Sequence, residues 1–234
     1  MSEQRHPDSD NGLAKRALAG FARFQIALAL MIFLPAWSPR YWQGWLYWLL
    51  FGAACVLITL YFLRHDRALI ERRMQAGPGA ETEPKQKLIL KFASVALIAM
   101  YLISPLDQRF GWSFVPAWLV LVGDALVVLG FYGFFLTFRQ NAFAAATVRV
   151  ESGQRVISTG LYAVVRHPMY AAAVPLLLAT PLALGSWWGL VPAAFLLATL
   201  VWRLLDEEAY LAQNLPGYAD YQRRVRTRLV PGVW

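Results

Sequence analysis

Two clusters of polar residues near the C-terminus combine residue types that hold charged groups of opposite sign. The first, Arg166-His167-Pro168, leads directly into an apolar stretch. Because proline is favoured in the first turn of a helix, we expect a helix to begin at Pro168. The unpaired N–H groups and the positive dipole end of that helix, with two basic side chains beside them, would form an anion site.

The second cluster places a cation next to acids at helical spacing. Arg203 and Glu207 are four residues apart and so share one helix face, and Glu208 follows directly. A cation and an anion side by side suit a zwitterionic ligand. Two plainer interpretations stay open. The first cluster would be a basic anchor for lipid headgroups, and the second an interfacial salt bridge that contributes at most about 1 kcal/mol.

Both clusters belong to a longer ordered set of motifs within residues 139–234. The set comprises Arg166-His167-Pro168-Met169-Tyr170, Arg203, Glu207-Glu208 with Leu211, Gly217-Tyr218 with Tyr221, and Arg228-Leu229-Val230-Pro231. In this order the motifs resemble the isoprenylcysteine carboxyl methyltransferase family. The resemblance implies a membrane-embedded enzyme that takes S-adenosylmethionine from the cytoplasmic side and a lipid-attached methyl acceptor from the bilayer.

The resemblance also implies roles for particular residues. Arg203, which would face the acceptor carboxylate, and Arg166 are the expected catalytic residues. The expected cofactor-binding residues are Gln154, Arg155, Val156, Ile157, Tyr162, His167, Pro168, Met169, Tyr170, Glu207 and Glu208.

The chemistry of these residue types agrees with such roles. Glu207 can pair with the ammonium group of the cofactor, and His167 with the helix N-terminus can hold its carboxylate. An acceptor carboxylate has a pKa of about 4, so it is already ionised near pH 7 and needs no general base. An amine acceptor, with a pKa nearer to about 10, must lose a proton, and His167 is the nearest candidate base.

We therefore favour O-methylation of a carboxylate. Three alternatives remain open: a phospholipid amine N-methyltransferase, an NADPH-dependent membrane reductase, and a non-enzymatic transporter. A transporter would use Asp124, an acid in the middle of a predicted segment, although a packing role for this residue is the more common outcome.

The composition predicts an all-α polytopic membrane protein. Of the 234 residues, 58% are hydrophobic and 15% are charged, whereas soluble domains have roughly 25% charged residues. Residues 1–138 would form N-terminal transmembrane helices, and residues 139–234 the C-terminal methyltransferase region. Apolar runs long enough to cross a bilayer predict six segments. These are 17–37, 41–63, 88–106, 111–138, and a hairpin of two helices within 169–202 that turns at Leu184-Gly185-Ser186.

The basic residues predict the orientation. All 22 Lys and Arg residues except Arg40 and Arg109 fall in or beside the two terminal tails and the loops after segments two and four. Because Lys and Arg accumulate on the cytoplasmic side, we expect both termini and the candidate site there, in the inner membrane if the source is bacterial. The net charge of +8 then needs no nucleic-acid partner. With three scattered histidines and one cysteine, we expect no metal site.

Overall fold

The computed structural model describes residues 7–74, 79, 81, 83–141 and 154–234, and their regular structure is all helical. A short 3₁₀ turn, Gly160–Ala163, precedes the sixth of the eight described α-helices. Residues 142–153, near the start of the predicted C-terminal region, lie outside the described part. The helices are α1 Pro7–Ala36, α2 Trp42–His65, α3 Arg67–Met74, α4 Pro84–Phe110, α5 Ala117–Gln140, α6 Pro168–Ala183, α7 Leu190–Asn214 and α8 Tyr218–Arg224.

Four helices have the length and hydropathy of membrane-spanning segments: α1 from Gly12 onward, α2, α4 and α5. They coincide with the first four predicted segments. The apolar helix α6 has 16 residues, so it is about 24 Å long at a rise of 1.5 Å per residue. That is shorter than the hydrocarbon core of about 30 Å. The predicted all-α membrane fold is confirmed, whereas six spanning segments remain a prediction.

The predicted hairpin between α6 and α7 is present, and Gly185 makes its turn. The φ angle of Gly185 is +74°, in the left-handed region that glycine adopts without steric cost. Its N–H group donates to the carbonyl of Leu182 (2.9 Å), and the N–H group of Ser186 donates to the carbonyl of Pro181 (2.8 Å). These bonds satisfy carbonyls at the end of α6 and reverse the chain direction.

The packing of α5 along α6 depends on three glycines of α5: Gly123, Gly130 and Gly133. A β-carbon added to any of them would lie 2.6–2.7 Å from an atom of α6. Such small residues let two helix backbones approach closely inside a membrane, where van der Waals packing drives association. Asp124, beside the first of these glycines, is buried, with 3% of its surface exposed.

A buried carboxylate closes the end of the bundle where α6 turns into α7. Asp107, near the end of α4, accepts hydrogen bonds from the N–H group (2.7 Å) and the hydroxyl (2.5 Å) of Ser113. It also accepts one from the hydroxyl of Ser186 (2.5 Å). The Ser186 oxygen in turn accepts from the N–H group of Gly189 (3.0 Å). This cluster ties the α4–α5 loop to the α6–α7 hairpin.

The two predicted regions pack as one bundle. Helix α5 packs along α6, and α4 packs along α7. In the core, the hydroxyl of Tyr47 in α2 lies 2.5 Å from that of Tyr101 in α4 and 3.3 Å from that of Thr180 in α6. The predicted boundary at residue 139 falls in the last turn of α5, which ends at Gln140. Extensive helix contacts nevertheless join the two sides of that boundary.

Candidate active site

The start of α6 is held by the segment that follows α8. The N–H group of Arg166 donates to the carbonyl of Thr227 (2.9 Å), and that of His167 donates to the carbonyl of Arg228 (3.1 Å). Pro168 is the first residue of α6, as predicted. The Arg166-His167-Pro168 motif is therefore fixed between α6 and the C-terminal segment.

Glu208 is the centre of a buried ionic cluster, with 5% of its surface exposed. Its Oε1 atom accepts hydrogen bonds from Arg166 Nε (2.6 Å) and His167 Nε2 (3.1 Å), and its Oε2 atom accepts one from Arg228 Nε (2.9 Å). Arg166 also donates to two backbone carbonyls of the C-terminal segment, at 2.8 and 3.1 Å. Glu208 thus binds basic side chains that precede α7 in the sequence and one that follows it.

These contacts keep Glu208 ionised. Burial by itself favours the protonated acid, but the hydrogen bonds from His167, Arg166 and Arg228 outweigh it and lower the pKa of the Glu208 carboxyl to about 2. The sequence predicted an anion beside Arg166 and His167. The structure places a carboxylate of the protein's own chain there.

The hydroxyl of Tyr170 joins Arg203 to Glu207. It donates to Glu207 Oε2 (2.5 Å) and accepts from Arg203 Nε (3.1 Å). The helical spacing predicted that Arg203 and Glu207 share a face of α7, and the structure confirms it. Among the described residues, no hydrogen bond occupies Glu207 Oε1, and the side chain is half-buried. Glu207 therefore has an oxygen that can accept a bond from a ligand.

Glu81, which the sequence analysis did not single out, also reaches Arg203. It lies between α3 and α4 with a fully buried side chain, and its Oε2 atom is 3.6 Å from Arg203 Nη2. On α7, Asp206 contacts Lys85 Nζ (2.5 Å) and Gln86 Nε2 (2.6 Å) near the start of α4. Glu81 is far from Arg203 in the sequence, so no periodic pattern connects the two residues.

The short helix α3 contributes a second residue that the sequence did not indicate. Arg73 lies with its guanidinium 4.2 Å from the centre of the Phe138 ring and its Nη1 atom 3.8 Å from the sulfur of Met169. Met169 is one of the expected cofactor residues and is the second residue of α6. The N-terminal region therefore forms part of the wall around the start of α6.

The expected cofactor stretch 154–157 packs near the C-terminal end of α7. Val156 and Tyr162 belong to one apolar cluster with α8, and the hydroxyl of Tyr221 donates to the carbonyl of Tyr162 (2.7 Å). Burial, with a smaller contribution from the charge of Glu207, raises the pKa of Tyr162 to about 12, so its phenol is neutral near pH 7.

The expected site residues therefore divide by location. Arg166 and His167 surround Glu208, whereas Arg203, Tyr170 and Glu207 form the second polar group. Met169 packs in an apolar cluster with Tyr170, whereas Val156 and Tyr162 pack in the cluster with α8. Of the others in the stretch, Arg155 is exposed, and Gln154 and Ile157 are half-buried.

An apolar groove of about 450 Å³ lies between α4 and α7. Trp202 is the last groove residue on α7, and Arg203 follows it directly. The groove therefore ends on α7 one residue before Arg203. Its lining residues are Phe92, Val95, Ala96, Ala99, Pro192, Phe195, Ala198, Thr199 and Trp202.

The helices that carry these polar groups also carry a family signature. Residues 118–216 match the family model of phospholipid methyltransferases. The match runs from α5 through α7, includes Tyr170, Arg203, Glu207 and Glu208, and covers less than half of the chain. No curated protein matches the chain.

This match and the four spanning helices support a membrane methyltransferase. Methyltransferases of the matched family are related to the isoprenylcysteine carboxyl methyltransferases and generally use S-adenosylmethionine. The family match is compatible with both carboxylate and amine acceptors. The choice between these acceptors depends on the chemistry of the site.

Proposed function

We propose that this protein is an S-adenosylmethionine-dependent methyltransferase that methylates the carboxylate of a lipophilic, isoprenylcysteine-like acceptor at the cytoplasmic face of the membrane. The arrangement of Arg203, Tyr170 and Glu207 is the observation that carries the proposal. It places a cation and an anion on one helix face, held at a fixed spacing by a shared hydroxyl. The ammonium group of S-adenosylmethionine needs the anion, and the carboxylate of the acceptor needs the cation.

The residues present fit the cofactor. Glu207 Oε1 would accept a hydrogen bond from the ammonium group, and a charge-assisted bond of this kind is about twice as strong as a neutral one. His167 makes no capping hydrogen bond to the start of α6, so the first N–H groups of that helix remain suited to a carboxylate. When bound, the cofactor would supply an electrophilic methyl group.

The groove between α4 and α7 fits the hydrocarbon chain of the acceptor. A chain in the groove would place its polar end beyond Trp202, where the planar fork of Arg203 can hold a carboxylate through two hydrogen bonds. The acceptor carboxylate is ionised near pH 7. Arg203 therefore needs only to position it in line with the methyl group and to keep water away.

A phospholipid amine is the second candidate acceptor, and it is consistent with the matched model of phospholipid methyltransferases. Methylation of an amine requires loss of a proton. The candidate base His167 lies with Nε2 3.1 Å from Glu208 inside the buried cluster and is 6% exposed. This placement favours the carboxylate acceptor, which needs no base.

Two conservative variants of the purified protein test the proposal. Glu207→Gln keeps the shape but removes a charge-assisted contact, so cofactor affinity measured by calorimetry should fall by about 1.5–3 kcal/mol. Arg203→Lys keeps the charge but removes the fork. Its turnover with a prenylcysteine acceptor should drop about tenfold to a thousandfold, while cofactor affinity changes by less than about threefold.

The outcomes separate the candidate acceptors. Normal turnover of Arg203→Lys on a carboxylate acceptor would contradict the proposed clamp. Methyl transfer to phosphatidylethanolamine, without transfer to a prenylcysteine, would establish the amine acceptor instead. A wild-type cofactor affinity in the Glu207→Gln variant would contradict the proposed contact between Glu207 and the ammonium group.

A further inference from the structure

Glu81 lies where the proposed function requires an acceptor carboxylate. Its carboxylate is 3.6 Å from Arg203 Nη2, its side chain is fully buried, and the side chain of Arg203 is 12% exposed. The pair therefore meets away from bulk water. An ionised carboxylate is costly to bury unless a cation compensates it, so Arg203 and Glu81 have a strong electrostatic reason to stay together.

The geometry of this pair also permits exchange. A separation of 3.6 Å exceeds the 2.7–2.9 Å typical of a charge-assisted hydrogen bond. By contrast, Glu208 accepts hydrogen bonds from Arg166, Arg228 and His167 at 2.6, 2.9 and 3.1 Å. The contact between Arg203 Nη2 and Glu81 Oε2 is thus longer than the contacts in the Glu208 cluster.

We propose that Glu81 is a specificity-determining residue that competes with the acceptor for Arg203. Its carboxylate occupies the position of the acceptor carboxylate, and the acceptor binds by exchange with it. This inference rests on the proposed function. The exchange replaces one carboxylate with another and so conserves the charge at Arg203. An acceptor that presents an ammonium group cannot make this replacement, because it would meet Arg203 as a like charge.

A purely structural ion pair makes different predictions. If Glu81 only stabilises the fold, its removal should lower stability and turnover and leave the acceptor KM unchanged or higher. If Glu81 competes with the acceptor, its removal should lower the acceptor KM. In either case its removal should leave a small carboxylate-sized site that a soluble anion can fill, so acetate tests the pairing with Arg203 and the acceptor KM decides between the two roles.

The first experiment does not depend on methyl transfer. Glu81→Ala removes the carboxylate and leaves room for acetate, so acetate should raise the thermal unfolding temperature of this variant in detergent. Chloride at equal ionic strength should not. Acetate should have no such effect on the wild type or on the double variant Glu81→Ala/Arg203→Gln. An equal acetate effect on the double variant, or none on Glu81→Ala, would overturn the proposal.

The second experiment uses the isosteric variant Glu81→Gln in a methyl-transfer assay. We expect the KM for a prenylcysteine acceptor to fall about threefold to tenfold, which corresponds to releasing a modest competing contact. Turnover number and cofactor affinity should stay within about twofold of the wild type. Asp206→Asn is the matched control, because it removes an acid of α7 that pairs with Lys85 and leaves Arg203 untouched. Its acceptor KM should not change.

The two experiments distinguish the possible failures. A wild-type protein that methylates no carboxylate acceptor would contradict the proposed function, whereas the acetate effect would still measure the carboxylate site at Arg203. A raised or unchanged acceptor KM in Glu81→Gln would contradict competition by Glu81 even if the proposed function holds.

Discussion

Glu208 connects three parts of the chain that meet at the candidate site. Arg166 and His167 precede α6, Glu208 lies on α7, and Arg228 follows α8. All four side chains are at least partly buried, so the Glu208 carboxylate and the two guanidinium groups depend on one another for charge compensation. Glu208 is in this respect a stabilising residue, while its neighbour Glu207 keeps an oxygen available.

We predict that Glu208→Gln destabilises the protein in a pH-dependent manner. The folded-state pKa of about 2 lies below the ordinary value of 4.5. The ionised carboxylate therefore contributes stability above pH 4.5, and this contribution is lost as the pH falls toward 2. At pH 7 the free energy of unfolding should decrease by about 3 kcal/mol, since a buried ion pair loses one partner.

Thermal unfolding in detergent between pH 2 and pH 7 measures this effect. The difference between wild type and Glu208→Gln should be largest at pH 7 and shrink below pH 4.5. Glu71→Gln, which changes an exposed acid of α3, should match the wild type throughout. A difference that is independent of pH would mean that the Glu208 charge does not stabilise the fold.

Local spacing predicted part of the site. Arg203 and Glu207 were placed on one helix face because they are four residues apart, and Pro168 marked the start of α6. Tyr170 as their link, Glu81 and Arg73 were not predicted in these roles. Their contacts join residues from distant helices, and the sequence contains no periodic signal for such pairs.

At the level of elements, the pairing of α4 with α7 gives the polar group access to apolar surface. Helix α7 begins as an apolar helix and becomes charged at Arg203, so a single element carries both groove residues and Arg203. The hairpin between α6 and α7 was predictable from glycine and from the length of the apolar run. The partner of α7 was not, because the sequence carries no periodic signal for contacts between helices that are distant in the chain.

A bulky residue in the groove tests its use by the acceptor. Ala198→Trp fills groove volume from an exposed position, so the KM for a long-chain acceptor should rise about tenfold, or about 1.4 kcal/mol. Cofactor affinity should not change. Ala194→Trp, one turn earlier on α7 and also exposed but outside the groove, is the control. Equal acceptor kinetics in the two variants would show that the chain binds elsewhere.

At the scale of the whole molecule, the two ends of the bundle have different chemistry. One end brings together the contacts of Arg203 with Glu81 and of Arg73 with Met169. The opposite end holds the hydrogen-bonded Asp107 cluster and the α6–α7 turn. The loops that meet at the first end are those whose basic residues predict a cytoplasmic location.

We predict that both termini lie in the cytoplasm and that the α4–α5 loop lies on the other side. Topology reporters fused after residues 110 and 234 should therefore report opposite compartments, because Lys and Arg retain their loops inside. If both reporters indicate the same compartment, the result would contradict the predicted topology and the cytoplasmic placement of the candidate site.

The glycine contacts between α5 and α6 have a consequence for how a lipid reaches the protein. Backbones that touch at Gly123, Gly130 and Gly133 leave no room for a hydrocarbon chain to pass between these helices. The contact between α5 and α6 is therefore closely packed, whereas a groove of about 450 Å³ lies between α4 and α7. A hydrocarbon chain from the bilayer could therefore enter between α4 and α7 but not between α5 and α6.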